Sequence, residues 1–408
     1  MSITTFKAFG SRNYRLYFIG QSVSLIGTWM QRTAVYWVIY VQTHSTFMLG
    51  LTAFATQFPS FVLSLFGGVV ADRYDRYRVL LFTQLASMVQ AVLLTLLVFF
   101  NQYTVAEIMG ISILLGVINA FDVPARQSLI HDLVGKKEDL PNAIALNSSM
   151  VNLARLIGPA IAGIVLEKLG AGTCFLLNAI SFVTVIVCLL LMRLPKQNPQ
   201  THSKQAMGEL REGLIYLKHT PAIGLIILLL GCMSLLVLPF TTLLPVYAKE
   251  IFKGNASTFG YLNSFIGLGA IGGTIYLASL KTGANLKKIL FVNTLIFGSG
   301  LCLFSHTTIL PLALFFAMIS GFGMMSQTTI CNTIIQTTVS PEMKGRIISC
   351  FAMAYFGMLP LGGLLIGSVS NVISTPTTIL ASGVTAILIA LLFSKFLLTG
   401  IVKTGVSV

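Results

Sequence analysis

Charge is what this sequence has least of. Of its 408 residues 9% are charged, and 12 are acidic, whereas soluble domains carry about 25% charged residues. A chain so poor in charge cannot present most of its surface to water, so most of it is expected in another solvent. The scarcity also excludes chemistry. A membrane-embedded enzyme needs two acids, a Ser/His pair or a metal set at one depth, and the sequence offers no such cluster. His44, His131, His202, His219 and His306 all fall in or beside expected loops, which argues against a histidine metal site or proton relay. Cys174, Cys188, Cys232, Cys302, Cys331 and Cys350 lie in apolar segments without metal-ligand spacing. They read as small core residues rather than a disulfide framework. No metal and no cofactor are expected. No repeated ring of pore residues supports a passive channel.

Apolar sequence is abundant, at 55% of the chain. A hydrocarbon core of about 30 Å takes roughly 20 residues per spanning helix, which leaves room for about twelve spans. They are expected at about 14–41, 46–71, 79–100, 105–130, 142–167, 173–193, 221–248, 257–280, 289–305, 309–337, 347–371 and 377–399. The first run is too long for a cleavable signal and is followed by another, so helix 1 is expected to act as an uncleaved start signal. The net charge of +14 is not a nucleic-acid footprint, because the basic residues cluster in every second connection. Of the 26 Lys and Arg, Lys168, Lys249 and Lys253 alone fall in odd-numbered connections, and Arg32, Arg126 and Arg155 lie within or at the rim of helices. The asymmetry puts both termini and the central loop in the cytoplasm.

The expected organisation is all-α: twelve transmembrane helices in two pseudo-symmetric six-helix halves, 1–194 and 221–408, joined by a linker at 195–220. The linker carries Met207, Leu210, Leu214 and Leu217 at helical spacing, which predicts an amphipathic helix over 205–219 lying on the membrane surface. The halves echo each other. Gly158-Pro159 in helix 5 and Pro360-Leu361-Gly362-Gly363 in helix 11 each follow a charged turn, 135–139 and 340–346. Parallel repeats of this kind belong to transporters with a midplane site between the halves.

The turn after helix 2, Gly68-x-x-Ala71-Asp72-Arg73-x-x-Arg76, resembles the conserved loop between helices 2 and 3 of the major facilitator superfamily. Gly27-Thr28-Trp29-Met30-Gln31-Arg32, Asp72–Arg76, Pro124–Ser128, Asn142–Ser148 and Ala154–Pro159 resemble its branch of bacterial exporters that includes the enterobactin exporter. The similarity covers essentially the whole chain. It implies the major facilitator fold, a bacterial inner-membrane location, outward transport by alternating access, and a chain that works as a monomer. It further implies a gate in which Gly68, Asp72, Arg73 and Arg76 take part, with Asp72 meeting the start of helix 11 near Gly345-Arg346. Asp75 stands where the wider family has Gly. Gly158, Pro159 and Gly163 resemble the helix 5 motif associated with antiporters. At Ser112, four residues before Gly116, many proton-coupled members carry Arg, so a proton relay is not visible there.

Charges inside the bilayer cost several kcal/mol unless paired or wetted. Arg32 and Arg155 lie well inside helices 1 and 5 and are expected at a polar cavity, or else in structural pairs. Asp122 and Arg126 are spaced to pair along helix 4. Asp122 is the one acid well inside a first-half span, so it is the candidate for proton coupling. A static salt bridge with Arg126 or Arg155 is the alternative. In the second half Glu342 is expected in a loop and Glu250 at a helix end, with no acid inside helices 7–12. The cavity wall is expected to draw on Trp29, Gln31, Arg32, Trp37, Gln57, Asn147, Arg155, Gln327, Asn332 and Tyr355, with Asn152 and Gln336 beside them. About half of these serve only to hold helices together. A few hydrogen-bonding groups on an apolar wall suit an amphipathic molecule: a drug, a siderophore or another secreted metabolite, which the resemblance to the exporter branch implies is exchanged for protons across the lipid bilayer. A lipid or lysolipid flippase is the alternative transport reading, and a non-transporting sensor the alternative from another class.

Overall fold

The computed structural model describes residues 4–100, 103–194, 206–281 and 283–398. Expectations resting on 195–205, including the start of the linker helix, lie outside these residues. Among the described residues all regular structure is helical. Helix α1 spans Arg12–Thr43, α2 Thr46–Arg73, α3 Arg76–Phe99, α4 Val105–Leu133, α5 Leu140–Leu169 and α6 Ala171–Leu190. The linker helix α7 is Ala206–His219. Then come α8 (Pro221–Ile251), α9 (Ala256–Ala278), α10 (Leu286–Ser305), α11 (Leu310–Thr338), α12 (Pro341–Val372) and α13 (Thr375–Leu392). Eleven of these helices are long and apolar enough to cross a membrane. Helix α1, with 32 residues, is the twelfth span, and Gln21, Gln31 and Arg32 lower its hydropathy.

The spans stop and start where short side chains replace the missing backbone partners. His44 ends α1 in the left-handed conformation at φ 47°, and Ser45 caps α2. Thr104 and Glu107 form a capping box at the start of α4. The charged turn after α2 is closed by Tyr74, whose N–H donates to the Val70 carbonyl at 2.9 Å. Asp75 then caps α3 by accepting from the Tyr77 N–H at 2.9 Å. Its carboxylate therefore has a local structural use at the position where the wider family carries Gly.

Contacts divide the chain into two compact units: Met1–Ser203 with Pro245–Ser264, and Lys204–Leu244 with Phe265–Val408. In the first, α1 lies along α5 and α6, α2 along α4, and α3 along α4 and α6. In the second, α10 packs on α11 and α13, and α8 on α12. The sequence boundary puts all of 221–408 together, whereas Pro245–Ser264 groups with the first unit. The reason is a backbone-to-backbone contact of α5 with the start of α9. A Cβ on Gly163 would stand 2.8 Å from the Ala256 carbonyl oxygen, and one on Gly260 would stand 2.5 Å from the Pro159 carbonyl oxygen. Ser264 Oγ adds a hydrogen bond to the Leu156 carbonyl at 2.9 Å, and Ser257 donates to Glu167.

Two second-half spans change pitch along their length. Helix α8 tightens over Leu238–Leu243, with Pro239 in the first turn of that segment, and loosens into a π turn at Tyr247–Ile251. Helix α12 has a π turn at Met353–Gly357. Helix α12 also begins earlier than expected. Pro341 sits at its first position, so Glu342 lies in the first helical turn and not in a loop. Both residues suit a helix start, Pro because the missing N–H has no intrahelical use there and Glu because of the macrodipole.

Candidate functional site

Well inside its spans the first unit carries charges in two separate groups. In the first group, Asp122 on α4 is 5% exposed. Its Oδ1 accepts from Thr83 Oγ1 at 2.9 Å and from Gln84 Nε2 at 2.6 Å, both on α3. Its Oδ2 faces Arg126 Nε at 3.4 Å, one turn along α4. Arg126 reaches on to α1, where Nη1 donates to Gln21 Oε1 at 3.4 Å. The carboxylate thus ties α3 to α4 and, through Arg126, to α1. The ion pair is the one with Arg126. Ser112, by contrast, only donates back to the Ile108 carbonyl at 2.7 Å within α4.

The second group gathers around Trp29 on α1. The Arg32 guanidinium lies 5.2 Å from the centroid of its ring, and that of Arg155 from α5 lies 5.5 Å from it. Both distances are within the reach of a cation–π interaction. Gly158, one turn beyond Arg155, makes the approach possible, because a Cβ there would stand 2.5 Å from the Trp29 Cβ. Arg32 is exposed, while Trp29 and Arg155 are half-buried. Gly158 thus lies where α5 meets α1, and Pro159 and Gly163 where it meets α9.

Other residues expected at a cavity are committed elsewhere. Gln31 is 2% exposed; it donates to Gln90 Oε1 at 2.9 Å and accepts from Asn178 Nδ2 at 2.8 Å. Gln90 passes the chain on to the Ile111 carbonyl at 3.1 Å. This relay joins α1, α3, α4 and α6 and engages both the NH2 and the carbonyl of the Gln31 amide in contacts between helices, where the sequence had placed it on a cavity wall. Its burial follows from helix position, two residues past Trp29 and on another face of α1. Asn147 accepts from the Tyr17 hydroxyl at 3.2 Å, and Gln57 donates to the Ala53 carbonyl at 3.2 Å. Trp37 stacks on Phe259 with centroids 6.1 Å apart.

In the second unit, Asn332 accepts from Gln336 at 3.2 Å, and Tyr355 stacks on Phe351 and meets Phe356 edge to face. Gln327 is fully buried, and its amide makes no hydrogen bond among the described residues.

In the loop motif, Arg76 pairs with Asp132 at the end of α4 at 3.4 Å, and Arg78 with Asp75 at 3.8 Å. Asp72 and Arg73 are exposed and make no ion pair among the described residues. Arg346 pairs inside its own unit, with Glu212 of α7 at 2.9 Å. There Gly213 brings α7 within van der Waals distance of α12, 3.2 Å from a would-be Cβ to the Arg346 carbonyl oxygen. The linker helix is thus packed on α12, beyond the surface role its amphipathic spacing predicts. The steric demand falls on Gly67, just before the motif, which lies against the Ala120 carbonyl, while Gly68 has open space around it.

Sequence reasoning missed Thr83, Gln84, Gln90, Asn178 and Gln21. The signal was available, since each is a hydrogen-bonding side chain inside an apolar span. Among the described residues no group of His, Cys, Asp and Glu is placed to hold a metal ion.

Helical packing of this kind has many solved counterparts. A POT family transporter in complex with 5-aminolevulinic acid superposes with a TM-score of 0.73 at 14% identity, covering 95% of this chain and 96% of the other. A bacterial homologue of the human lysosomal transporter Spinster gives 0.69 at 13% identity, covering 94% and 96%. These show the fold. Sequence relatives are nearer. The staphyloferrin A transporter of Staphylococcus aureus is 29% identical, over 92% of this chain and 94% of that one. The enterobactin exporter of Shigella boydii is 27% identical, over 93% and 90%. Macrolide efflux protein A of Streptococcus pyogenes is 23% identical, over 91% and 93%. The profile of the transmembrane secretion effectors matches residues 3–404. Twelve spans, the motif after α2 and a family match from end to end agree: the chain is a transmembrane secretion effector of the major facilitator superfamily.

Proposed function

We propose that this efflux transporter exports an amphipathic small molecule by alternating access, driven by protons moving inward in exchange. The observation that carries the reading is the buried pair of Asp122 and Arg126, held at 3.4 Å with Thr83 and Gln84 on the same carboxylate. A carboxylate that ties three helices together and can lose its charge by taking a proton is a coupling element. Protonation removes the attraction to Arg126 and weakens the acceptor that Thr83 and Gln84 share. That the relatives are a siderophore transporter, a siderophore exporter and a macrolide efflux protein supports outward transport of organic cargo.

In this reading the chain works as a monomer in the bacterial inner membrane with both termini in the cytoplasm. Asp72, Arg73 and Arg76 contribute to the gate on that side. Trp29, Arg32 and Arg155 contact cargo, and Gly158, Pro159 and Gly163 form the antiport-type seam of α5. The test begins with comparative metabolomics of medium from deletion and complemented cells. The identified cargo is then offered to inverted membrane vesicles under an imposed pH gradient. Accumulation that follows the gradient is expected, and accumulation that ignores it ends the antiport reading.

A further inference from the structure

Two α3 side chains share one oxygen of the buried Asp122 carboxylate, and each has an unused alternative. Thr83 Oγ1 stands 2.9 Å from Asp122 Oδ1 and 2.9 Å from the Leu80 carbonyl of its own helix. A hydroxyl has one proton, so it donates to one of these acceptors at a time. Gln84 Nε2 donates to the same Oδ1 at 2.6 Å, while its Oε1 is buried without a hydrogen-bond partner among the described residues. Nothing else holds that amide in one sense. A half-turn about its last torsion exchanges NH2 for C=O and breaks no other bond.

These alternatives match the two forms of a carboxyl group. An ionised carboxylate only accepts, whereas the acid donates through its O–H. Around the charged form Thr83 and Gln84 both donate. Around the neutral form the Thr83 proton returns to Leu80, and the turned amide offers Oε1 to the acid proton. The amide has one unused end in either state, so the change strands no additional group. Gln21 of α1 differs. Its Oε1 accepts from Arg126 Nη1 at 3.4 Å, and its Nε2 is also unpartnered. A half-turn there sets NH2 against the guanidinium, donor against donor, so Gln21 suits one state only.

The other charged and titratable groups around Asp122 are few. Arg126 of α4 lies at 3.4 Å, and Tyr17 of α1, within electrostatic reach of both, spends its hydroxyl on Asn147. Helix α2 carries no titratable residue before Asp72, and α3 none after Arg78. Arg76 of α3 pairs with Asp132, and Arg155 of α5 lies over Trp29.

We infer that Thr83 and Gln84 are positioning residues that serve both charge states of Asp122, hydroxyl and amide each turning over when the carboxyl group takes a proton. They thereby set the pH at which the pair with Arg126 lets go. The inference deepens the antiport reading above and rests on it for the link to transport, but the titration itself stands or falls separately.

Full-length protein in lipid nanodiscs is followed by infrared difference spectroscopy across a pH titration, with Asp122→Asn identifying the Asp122 carboxylic-acid stretch. The glutamines carry an isotope label at the side-chain carbonyl carbon. Protonation of Asp122 is expected to bring an isotope-sensitive amide C=O band to lower frequency at the same midpoint. Gln84→Met should abolish that band. Gln84→Met and Thr83→Val should each move the midpoint up by about one to two pH units, the size of a hydrogen bond to a charged group. The direction is upward because each variant loses a donor to the charged form, and that charge-assisted bond outweighs the neutral one lost with it. Thr83→Ser, which keeps the hydroxyl, should hold the wild-type midpoint.

Titration of Asp122 in the wild type without an isotope-sensitive amide band overturns the inference, as does an Asp122 that stays charged throughout. Both results come from the unaltered chain, so a variant that fails to fold rescues nothing. Unmoved midpoints in folded Gln84→Met and Thr83→Val proteins overturn it as well. An amide switch without gradient-driven export in vesicles leaves this inference standing and removes the antiport reading. Gradient-driven export without an amide switch does the reverse.

Discussion

The Ala120 carbonyl in α4 lies against Gly67 in α2, so close that a Cβ on Gly67 would overlap it. Pro124 explains why that carbonyl is available. A helical carbonyl normally accepts from the N–H four residues on, and proline has none. The glycine with a steric task is thus Gly67, one residue before the loop motif, and the motif's own Gly68 faces open space. Gly67→Ala should lower the melting temperature in detergent by an amount corresponding to about 1–3 kcal/mol of overpacking. Gly68→Ala should leave the melting temperature nearly unchanged. Equal effects of the two substitutions would contradict this assignment.

The α5–α9 seam makes a second comparison. A Cβ on Gly260 would stand 2.5 Å from the Pro159 carbonyl oxygen and 3.0 Å from the Gly163 Cα, all backbone that cannot rotate away. Gly260→Ala is expected to pry the start of α9 from α5 and to slow transport several-fold, with a destabilisation of about 1–3 kcal/mol. Cysteine crosslinking between positions 156 and 264, where Ser264 now bonds the Leu156 carbonyl at 2.9 Å, reads the separation directly. An unchanged crosslinking yield in the alanine variant would count against a tight seam.

Asp122→Asn keeps an oxygen for Thr83 and Gln84 but removes the charge opposite Arg126. Export driven by a pH gradient should fall at least about tenfold, the size expected when a proton-transfer group is lost, while cargo binding to purified protein persists. Leaving Arg126 without its partner also costs about 3–5 kcal/mol if the site stays dry. Asp122→Asn combined with Arg126→Gln should therefore recover stability but not gradient-driven export. Full gradient-driven export by the single variant would remove Asp122 as proton carrier.

For Gln31 the structure argues architecture over binding. Gln31→Leu would strand the Gln90 carbonyl oxygen and the Asn178 amide, which it now satisfies at 2.9 and 2.8 Å. Each unsatisfied buried group costs about 1–3 kcal/mol. Thermal unfolding should shift downward, and the transport rate per folded molecule should hold. A selective change in cargo affinity with unchanged stability would return Gln31 to the binding site.

The fold was legible because its signals are long and redundant. Eleven of the spans carry their own run of apolar residues, and the motif after α2 points to the family. The pairing of Asp122 with Arg126 was legible too, since spacing within one helix determines it. Contacts between helices were not. Gln31 and Arg32 are adjacent in sequence, yet one is 2% exposed in an amide relay and the other is exposed beside Trp29. Nothing in the residue types separates them, because the difference is about 100° of rotation around the helix axis. The Pro245–Ser264 segment was hidden for a similar reason: glycines in α5 and α9 permit a close crossing, but only the fold shows that they face each other.

The pitch changes in α8 and α12 have a consequence for how such a protein diversifies. The sites at which these spans depart from regular helix, Leu238–Leu243, Tyr247–Ile251 and Met353–Gly357, share no residue with the arginine-bearing stretches of α1 and α5. The turns where pitch changes and the residues that crowd the Trp29 indole are thus written in different segments of one gene. On the export reading proposed above, a substitution at Arg32 or Arg155 leaves the backbone of α8 and α12 as it is.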